Sequence, residues 1–241
     1  VGKSDIVRDI ANDRGVEIRD IRAILLDPVD LRGIPSVENG ITRWNPPAFL
    51  PTDGEGILFL DELNAAPPAV AASLYELVLD RKLGEYRLPD GWRIVAAGNG
   101  EGDRAVTNRM PTPLANRFSH YEIKVDADDW SEWAIDANIE PLVMAFIRFR
   151  PNLLHVFDPR SASKAFPTPR SWETVSKKEK AGVPAAIELA AVASAVGEAA
   201  AIEFIGFKRM ASKLPNPDLI IKNPADSAIP ENDSGVLFAL A

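Results

Sequence analysis

An α/β core built on a parallel sheet, continued by a small all-helical domain, is what the residue pattern of this 241-residue chain predicts. Three observations point there. Ile57-Leu58-Phe59-Leu60 is an apolar run suited to a strand buried on both faces, and two carboxylates, Asp61 and Glu62, follow where it ends. Gly2-Lys3-Ser4, next to Val1, matches the second half of the phosphate-binding pattern G-x-x-x-x-G-K-S/T. After Asp126 the strand signals vanish and helical periodicity takes over.

Taken in order, the elements justify themselves locally. Ile6, Val7, Ile10 and Ala11 fall at helical spacing after Ser4, and Gly15 suits a C-terminal cap. A helix that starts behind Gly2-Lys3-Ser4 aims its positive N-terminal end at phosphates. Val16 to Arg22 alternates apolar and polar and reads as a strand. Leu25 to Pro51 holds five prolines, two glycines and Trp44, too long for a plain connection. It reads as an insertion, either functional or merely an ordered surface segment.

The carboxylate-bearing strand, Ile57 to Leu60, comes next. Asn64 is expected to cap the following helix, with Pro67 or Pro68 in its first turn. Val70, Leu74, Leu77 and Val78 make its apolar face, and Gly84 ends it. Glu85 to Arg93 reads as a hairpin turning at Pro89-Asp90-Gly91. Arg93 to Ala97 is a second buried strand that ends at Gly98-Asn99. Asn99 would sit beside Asp61 and Glu62 if those strands are neighbours; Gly98-Asn99-Gly100 is equally explained as a turn. Arg104, Arg109 and Arg117 lie in the polar stretch that follows. Leu114 to Phe118 is the tail of a short helix before a strand at Tyr121 to Val125. Helices are expected at Asp128 to Ala137, Glu140 to Arg150 and Arg170 to Lys180, then in two alanine-rich segments hinging near Gly197. The domains are therefore 1–125 (α/β core), 126–214 (helical domain) and 215–241 (a partly ordered linker).

Composition narrows the function classes. A net charge of −8 leaves no overall basic footprint for nucleic acid. The absence of cysteine excludes a disulfide scaffold and a cysteine zinc site. The two histidines, His120 and His155, are not at zinc-motif spacing and read as ordinary strand or loop residues. The most apolar window, Leu189 to Phe207, is broken by Glu198 and Glu203 and reads as packed helix, not a membrane span. The chain opens with Val in mid-motif. The expectation is a fragment, with the first glycine of the loop and the strand before it upstream of residue 1, so N-terminal targeting is not legible.

The motifs occur in a telling order: Gly2-Lys3-Ser4, Asp61-Glu62 within LFLDELNAAPP, Asn99 at a strand end, Leu114-Ala115-Asn116-Arg117-Phe118, and Pro167-Thr168-Pro169-Arg170-Ser171-Trp172. With the two insertions, this set resembles the AAA+ ATPases, in particular their MoxR-like, dynein-related branch, from Gly2 to about Leu214. The resemblance implies a P-loop NTPase core, here lacking its first strand, followed by a helical lid. It implies ATP and Mg2+ as cofactors. Gly2 and Lys3 would hold phosphate, Lys3 at the β- and γ-phosphates. Ser4 and Asp61 would hold the magnesium, Asp61 directly or through water. Glu62 would activate the attacking water and Asn99 would act as the sensor that positions it. Arg117 looks like the arginine finger serving a neighbouring subunit's nucleotide, and Arg170 like the second sensor on the lid.

The family pattern further implies a homo-oligomeric, hexameric ring that remodels or activates a protein client, such as a von Willebrand factor A domain protein, with cytoplasmic localisation, no membrane span and no nucleic-acid partner. Two other readings stay open: a nucleic-acid translocase of a related branch, and a nucleotide-dependent scaffold with little turnover. Because half of the loop is absent from the chain as given, nucleotide binding by it is expected to be poor, and the sheet is expected to show a gap.

Overall fold

The computed structural model describes residues 2–100, 110–158, 160–161 and 163–212. Arg104, Arg109 and the expected linker at 215–241 lie outside the described residues. The chain divides into two compact units, Gly2–Ile123 and a second beginning at Lys124.

In the first unit, α1 (Lys3–Arg14) leads into β1 (Glu17–Arg22). A short helix, α2 (Pro28–Arg32), and an antiparallel hairpin of β2 (Ile34–Glu38) and β3 (Ile41–Asn45) fill the proline-rich insertion. The hairpin turns at Asn39 and Gly40, both with positive φ (51° and 75°), the backbone that a two-residue hairpin turn needs. Then come β4 (Glu55–Asp61), α3 (Pro68–Asp80), a second small hairpin of β5 (Lys82–Leu83) and β6 (Tyr86–Arg87), β7 (Gly91–Ala96) and α4 (Thr112–Ala115).

β1, β4 and β7 form a parallel sheet with β4 in the centre. Arg22 stands opposite Asp61, and Leu60 opposite Ala96, so all three strands end at the same level. The apolar run of β4 divides between the faces, as strand geometry requires. Leu58 and Leu60 join the larger core with Leu63, Val70, Leu74, Leu77 and Trp92. Ile57 and Phe59 join Ala11 of α1 and Ala97 on the other side.

Four expectations are corrected. Tyr121 to Val125 is not a strand: Tyr121 is 88% exposed, and no described strand runs beside it to take up its backbone groups. The hairpin after α3 is Lys82 to Arg87, turning at Gly84 and Glu85, while Pro89 to Trp92 is a bend into β7. α3 ends before Gly84. Arg81 takes the left-handed C-cap itself (φ 56°), and its guanidinium donates to the Pro89 carbonyl at 2.6 Å and the Trp92 carbonyl at 3.0 Å. Asn64 does not cap α3. Its side chain is engaged elsewhere, and Pro67 is the N-cap.

The second unit is helical: α5 (Ala127–Asp136), α6 (Pro141–Phe149), α7 (Pro169–Lys180), α8 (Glu188–Val196) and α9 (Glu198–Ala211). Asp126 caps α5 by accepting from the Asp128 and Asp129 amides at 2.8 and 3.1 Å. Thr168 and Ser171 form a reciprocal capping box at the start of α7. Phe146, Trp172 and Phe204 meet at ring-centroid distances of 5.2 to 5.8 Å and organise one core. Trp172 satisfies its indole N–H on the Leu153 carbonyl at 2.8 Å. Lys208 of α9 binds Glu179 of α7 and Glu188 of α8. Burial pulls its ammonium down, but the two carboxylates outweigh that and raise it. Among the described residues no helix is long and apolar enough to cross a membrane.

Candidate functional site

The C-terminal ends of parallel strands collect whatever polar residues follow them, because every strand points the same way. Here β4 ends on Asp61 and is followed by Glu62, and β7 is followed by Ala97, Gly98 and Asn99. Two backbone hydrogen bonds prolong the pairing past β7. The Ala97 amide donates to the Leu60 carbonyl at 2.9 Å, and the Leu63 amide donates to the Ala97 carbonyl at 3.0 Å. The segments that carry Asp61-Glu62 and Asn99 thereby leave neighbouring strands at the same level.

The start of α1 meets these strand ends. Gly2 precedes it with φ 81°, a left-handed conformation open to glycine at little cost. The Ser4 hydroxyl donates to Asp61 Oδ2 at 2.8 Å, across 57 residues of sequence. The Lys3 ammonium donates to the Gly98 carbonyl at 2.5 Å and to Asn99 Oδ1 at 3.0 Å, across 95 and 96 residues. Lys3, Ser4, Asp61, Glu62 and Asn99 are all half-buried. Asp61 uses its second oxygen to accept from the Glu62 amide at 3.0 Å.

Glu62 itself sits in the left-handed region (φ 55°, ψ 34°). That conformation is uncommon for a residue with a Cβ and turns the chain sharply away after β4. The negative field of this end of the sheet extends into α1. The Asp20 hydrogen bond above all raises the Arg8 guanidinium above its ordinary value; desolvation opposes it, and the charges of Asp20, Asp5 and Asp61 add to the rise.

Asn64 was read from the sequence as a helix cap, and the structure places it at this site. Its Nδ2 donates to the Asn99 carbonyl at 2.7 Å and its Oδ1 accepts from the Asn99 amide at 3.2 Å. The available signal was Gly98. A Cβ there would stand 2.6 Å from Asn64 Oδ1, so the glycine marks a close approach.

Arg117 and Arg170 are not part of this hydrogen-bonded cluster. Arg117 lies exposed in the turn after α4, its amide donating to the Leu114 carbonyl at 2.9 Å. Arg170 is exposed in the first turn of α7, in the helical unit.

A hydroxyl hydrogen-bonded to a carboxylate is an all-oxygen donor pair. It suits a hard cation such as Mg2+, which keeps most of its shell for water and phosphate and needs only one or two protein ligands. Among the described residues no group of three or more His, Cys, Asp or Glu could hold a metal on its own. A cation here would therefore share its coordination with a ligand.

No family model matches the chain, and no curated protein matches it. Among solved structures, two point mutants of RuvB from Thermotoga maritima align with TM-scores of 0.38 and 0.35 at 16% identity, over 100% of this chain and 58% of theirs. NtrX from Brucella abortus aligns with a TM-score of 0.36 at 16% identity, over 86% of this chain and 62% of its own. The chain thus spans under two thirds of the length of these structures. Overlaps this loose carry no argument about activity, which must come from the chain's own side chains.

Proposed function

We propose that this chain is the nucleotide-hydrolysing part of an AAA+ ATPase of the MoxR-like kind, working as a homo-oligomeric ring on a protein client. The observation that carries the reading is the convergence at the strand ends. Ser4 reaches Asp61 across 57 residues and Lys3 reaches Asn99 across 96, brought there by the packing of α1 on β4 through Ala11, Ile57 and Phe59. A lysine and a serine at the start of a helix, facing a carboxylate pair on the central strand, form the recurring apparatus for phosphoryl transfer to water.

Each residue has a task its chemistry suits. The N-terminal amides of α1 and the Lys3 ammonium bind phosphate oxygens, which take over as acceptors from the Gly98 and Asn99 oxygens. The Ser4 hydroxyl and Asp61 carboxylate are the ligands offered to Mg2+. Bound with the nucleotide, that ion neutralises charge on the terminal phosphates. Glu62 accepts a hydrogen bond from the attacking water and holds it in line. Asn99, beside the Lys3 ammonium, senses the terminal phosphate. Arg117, exposed on its turn, is assigned the arginine finger serving a neighbouring subunit's nucleotide, a role the family resemblance supports and in which an arginine in trans is worth about 10³ to 10⁵ in rate. Arg170 is assigned the second sensor and the helical unit the lid. ATP, the ring and a cytoplasmic setting rest on the family resemblance.

The test is ATP hydrolysis by the full-length protein across a range of concentrations, beside Glu62→Gln and Arg117→Ala. The proposal expects turnover per subunit to rise with concentration and Glu62→Gln to bind nucleotide without hydrolysing it. It expects Arg117→Ala to regain activity when mixed with Glu62→Gln, since each supplies what the other lacks. Nucleotide binding without turnover at any concentration would sink the hydrolytic reading and leave a scaffold.

A further inference from the structure

Asn64 makes two hydrogen bonds that nothing in the roles above uses. Both go to one residue, the Asn99 backbone: Nδ2 to the carbonyl oxygen at 2.7 Å and Oδ1 from the amide at 3.2 Å. A primary carboxamide is the side chain that offers a donor and an acceptor side by side, and the two backbone partners fix which way it points. Aspartate lacks the donor, serine is too short, and glutamine carries the carboxamide one methylene too far.

Gly98 supplies a second, independent observation. A Cβ at that position would stand 2.6 Å from Asn64 Oδ1 and 2.9 Å from its Cγ, and all three atoms closest to it belong to the Asn64 carboxamide. Gly98 has no positive φ, so backbone conformation does not require glycine here. What requires it is the room taken by the Asn64 carboxamide. The two residues are matched: one fills the space the other leaves.

The consequence runs to Asn99. Gly98 and Asn99 present the two oxygens that hold the Lys3 ammonium. Beyond Ala97 the strand pairing has ended, and the loop must be fixed by something else. Asn64 is anchored by the turn Leu63–Ala65, directly behind Asp61 and Glu62. We infer that Asn64 is a positioning residue: a two-point clamp that carries the register of the Asp61–Glu62 turn across to Asn99 and sets the sensor side chain. This inference rests on the ATPase reading for its effect on rate, but not for the clamp itself.

Two measurements on the full-length protein separate the two claims. The first is the exchange rate of the Asn99 amide proton in the nucleotide-free protein, read by NMR. Asn64→Ala and Gly98→Ala should each speed that exchange, with the rest of the sheet unit unchanged, whereas Asn64→Asp keeps the acceptor for that amide and loses only the donor to the carbonyl. The second is hydrolysis. Each variant should lose about 100-fold in kcat, the cost of a displacement on the order of 1 Å at a reacting centre, while its affinity for a fluorescent ATP analogue stays within about threefold. Adding Gly98→Ala to Asn64→Ala should cost little further, because the three atoms nearest the added methyl belong to the carboxamide that is gone.

Unchanged Asn99 exchange in Asn64→Ala, or a kcat within about twofold of the unaltered protein, overturns the inference. So does full additivity of the two substitutions. Should Asn64→Ala fail to fold, Gly98→Ala alone decides by the same two readouts. If the unaltered protein hydrolyses no ATP, the ATPase reading falls, and the exchange rates still decide whether the clamp exists.

Discussion

The sheet unit and the helical unit are built on different principles. In the helical unit one core surrounds Phe146, Trp172 and Phe204, and α5 and α7 start on side-chain caps at Asp126 and Thr168. In the sheet unit the apolar residues of β4 divide between two faces, and the polar residues gather beyond the strand ends. Among the described residues, Asn39, Glu62 and Arg81 of the sheet unit have a left-handed backbone without being glycine, against Asn138 alone in the helical unit. The lesson is one of location. A helical bundle satisfies its backbone within each helix and spends its side chains on packing. A parallel strand must turn the chain at its end, and of the left-handed residues Glu62 stands at such a turn, where strain and polar side chains become available for chemistry.

The largest expected loss in either unit follows the removal of a single large buried side chain. Trp172→Ala deletes a fully buried ring at the meeting point of the helical core and should lower that unit's stability by about 3–5 kcal/mol. Leu74→Ala in the sheet unit should cost about 2–5 kcal/mol, with its partial collapse shared among Val70, Leu77 and Trp92. Urea denaturation followed by circular dichroism measures both. Equal losses would argue that the two cores are equally adaptable.

Strain comes next in size. Replacing Glu62 by glycine should relieve the left-handed backbone and stabilise the sheet unit by about 1 kcal/mol, while Glu62→Gln leaves stability unchanged. Thermal melts of the two variants give the sign directly. A less stable Glu62→Gly protein would mean that the turn is held by side-chain contacts and is not strained.

The smallest effects lie at high pH, where burial raises Tyr86 and, more modestly, Tyr75 in the sheet unit, and Lys208 is raised in the helical unit. Burial pushes the Tyr86 hydroxyl of the sheet unit up to about 12, and it donates to the Pro51 carbonyl at 2.6 Å. Its folded value lies above the unfolded one. The stability it contributes is therefore complete below pH 10.0 and is lost as pH rises towards about 12. Lys208 of the helical unit is also raised, from 10.5, so its contribution is complete below that value and falls away above its folded pKa. Stability measured from pH 8 upward should fall in both units. Tyr86→Phe should flatten the fall in the sheet unit at a cost of about 1 kcal/mol at neutral pH, and Lys208→Met should flatten it in the helical unit. Curves unchanged by either substitution would show that other groups govern alkaline unfolding.

Much of the fold was legible in the sequence because it is local. The β4 run, the helical spacing of α1 and α3, and the five helices after Asp126 follow from periodicity within a dozen residues. The misses share one cause. Tyr121 to Val125 has a strand's alternation, but a strand exists only beside a neighbour. Pro89-Asp90-Gly91 has a turn's composition, but the hairpin forms at Gly84 and Glu85, since Arg81 ends α3 early and draws the Pro89 and Trp92 carbonyls to its guanidinium. Asn64 has a cap's identity and a better partner 35 residues away.

The candidate site divides in the same way. Gly2-Lys3-Ser4 and Asp61-Glu62 could be picked out by residue type, because phosphate and metal chemistry needs those groups wherever they sit. That Lys3 would meet Asn99, Ser4 would meet Asp61, and Asn64 would hold Asn99 by both sides of its peptide could not be read from any local window. Those meetings depend on β1, β4 and β7 lying parallel in that order and ending level, so that residues far apart in the chain become neighbours. Side-chain type and helical or extended periodicity are properties of short segments. Strand order and register are set by which apolar faces bury one another, and that is a property of the whole unit.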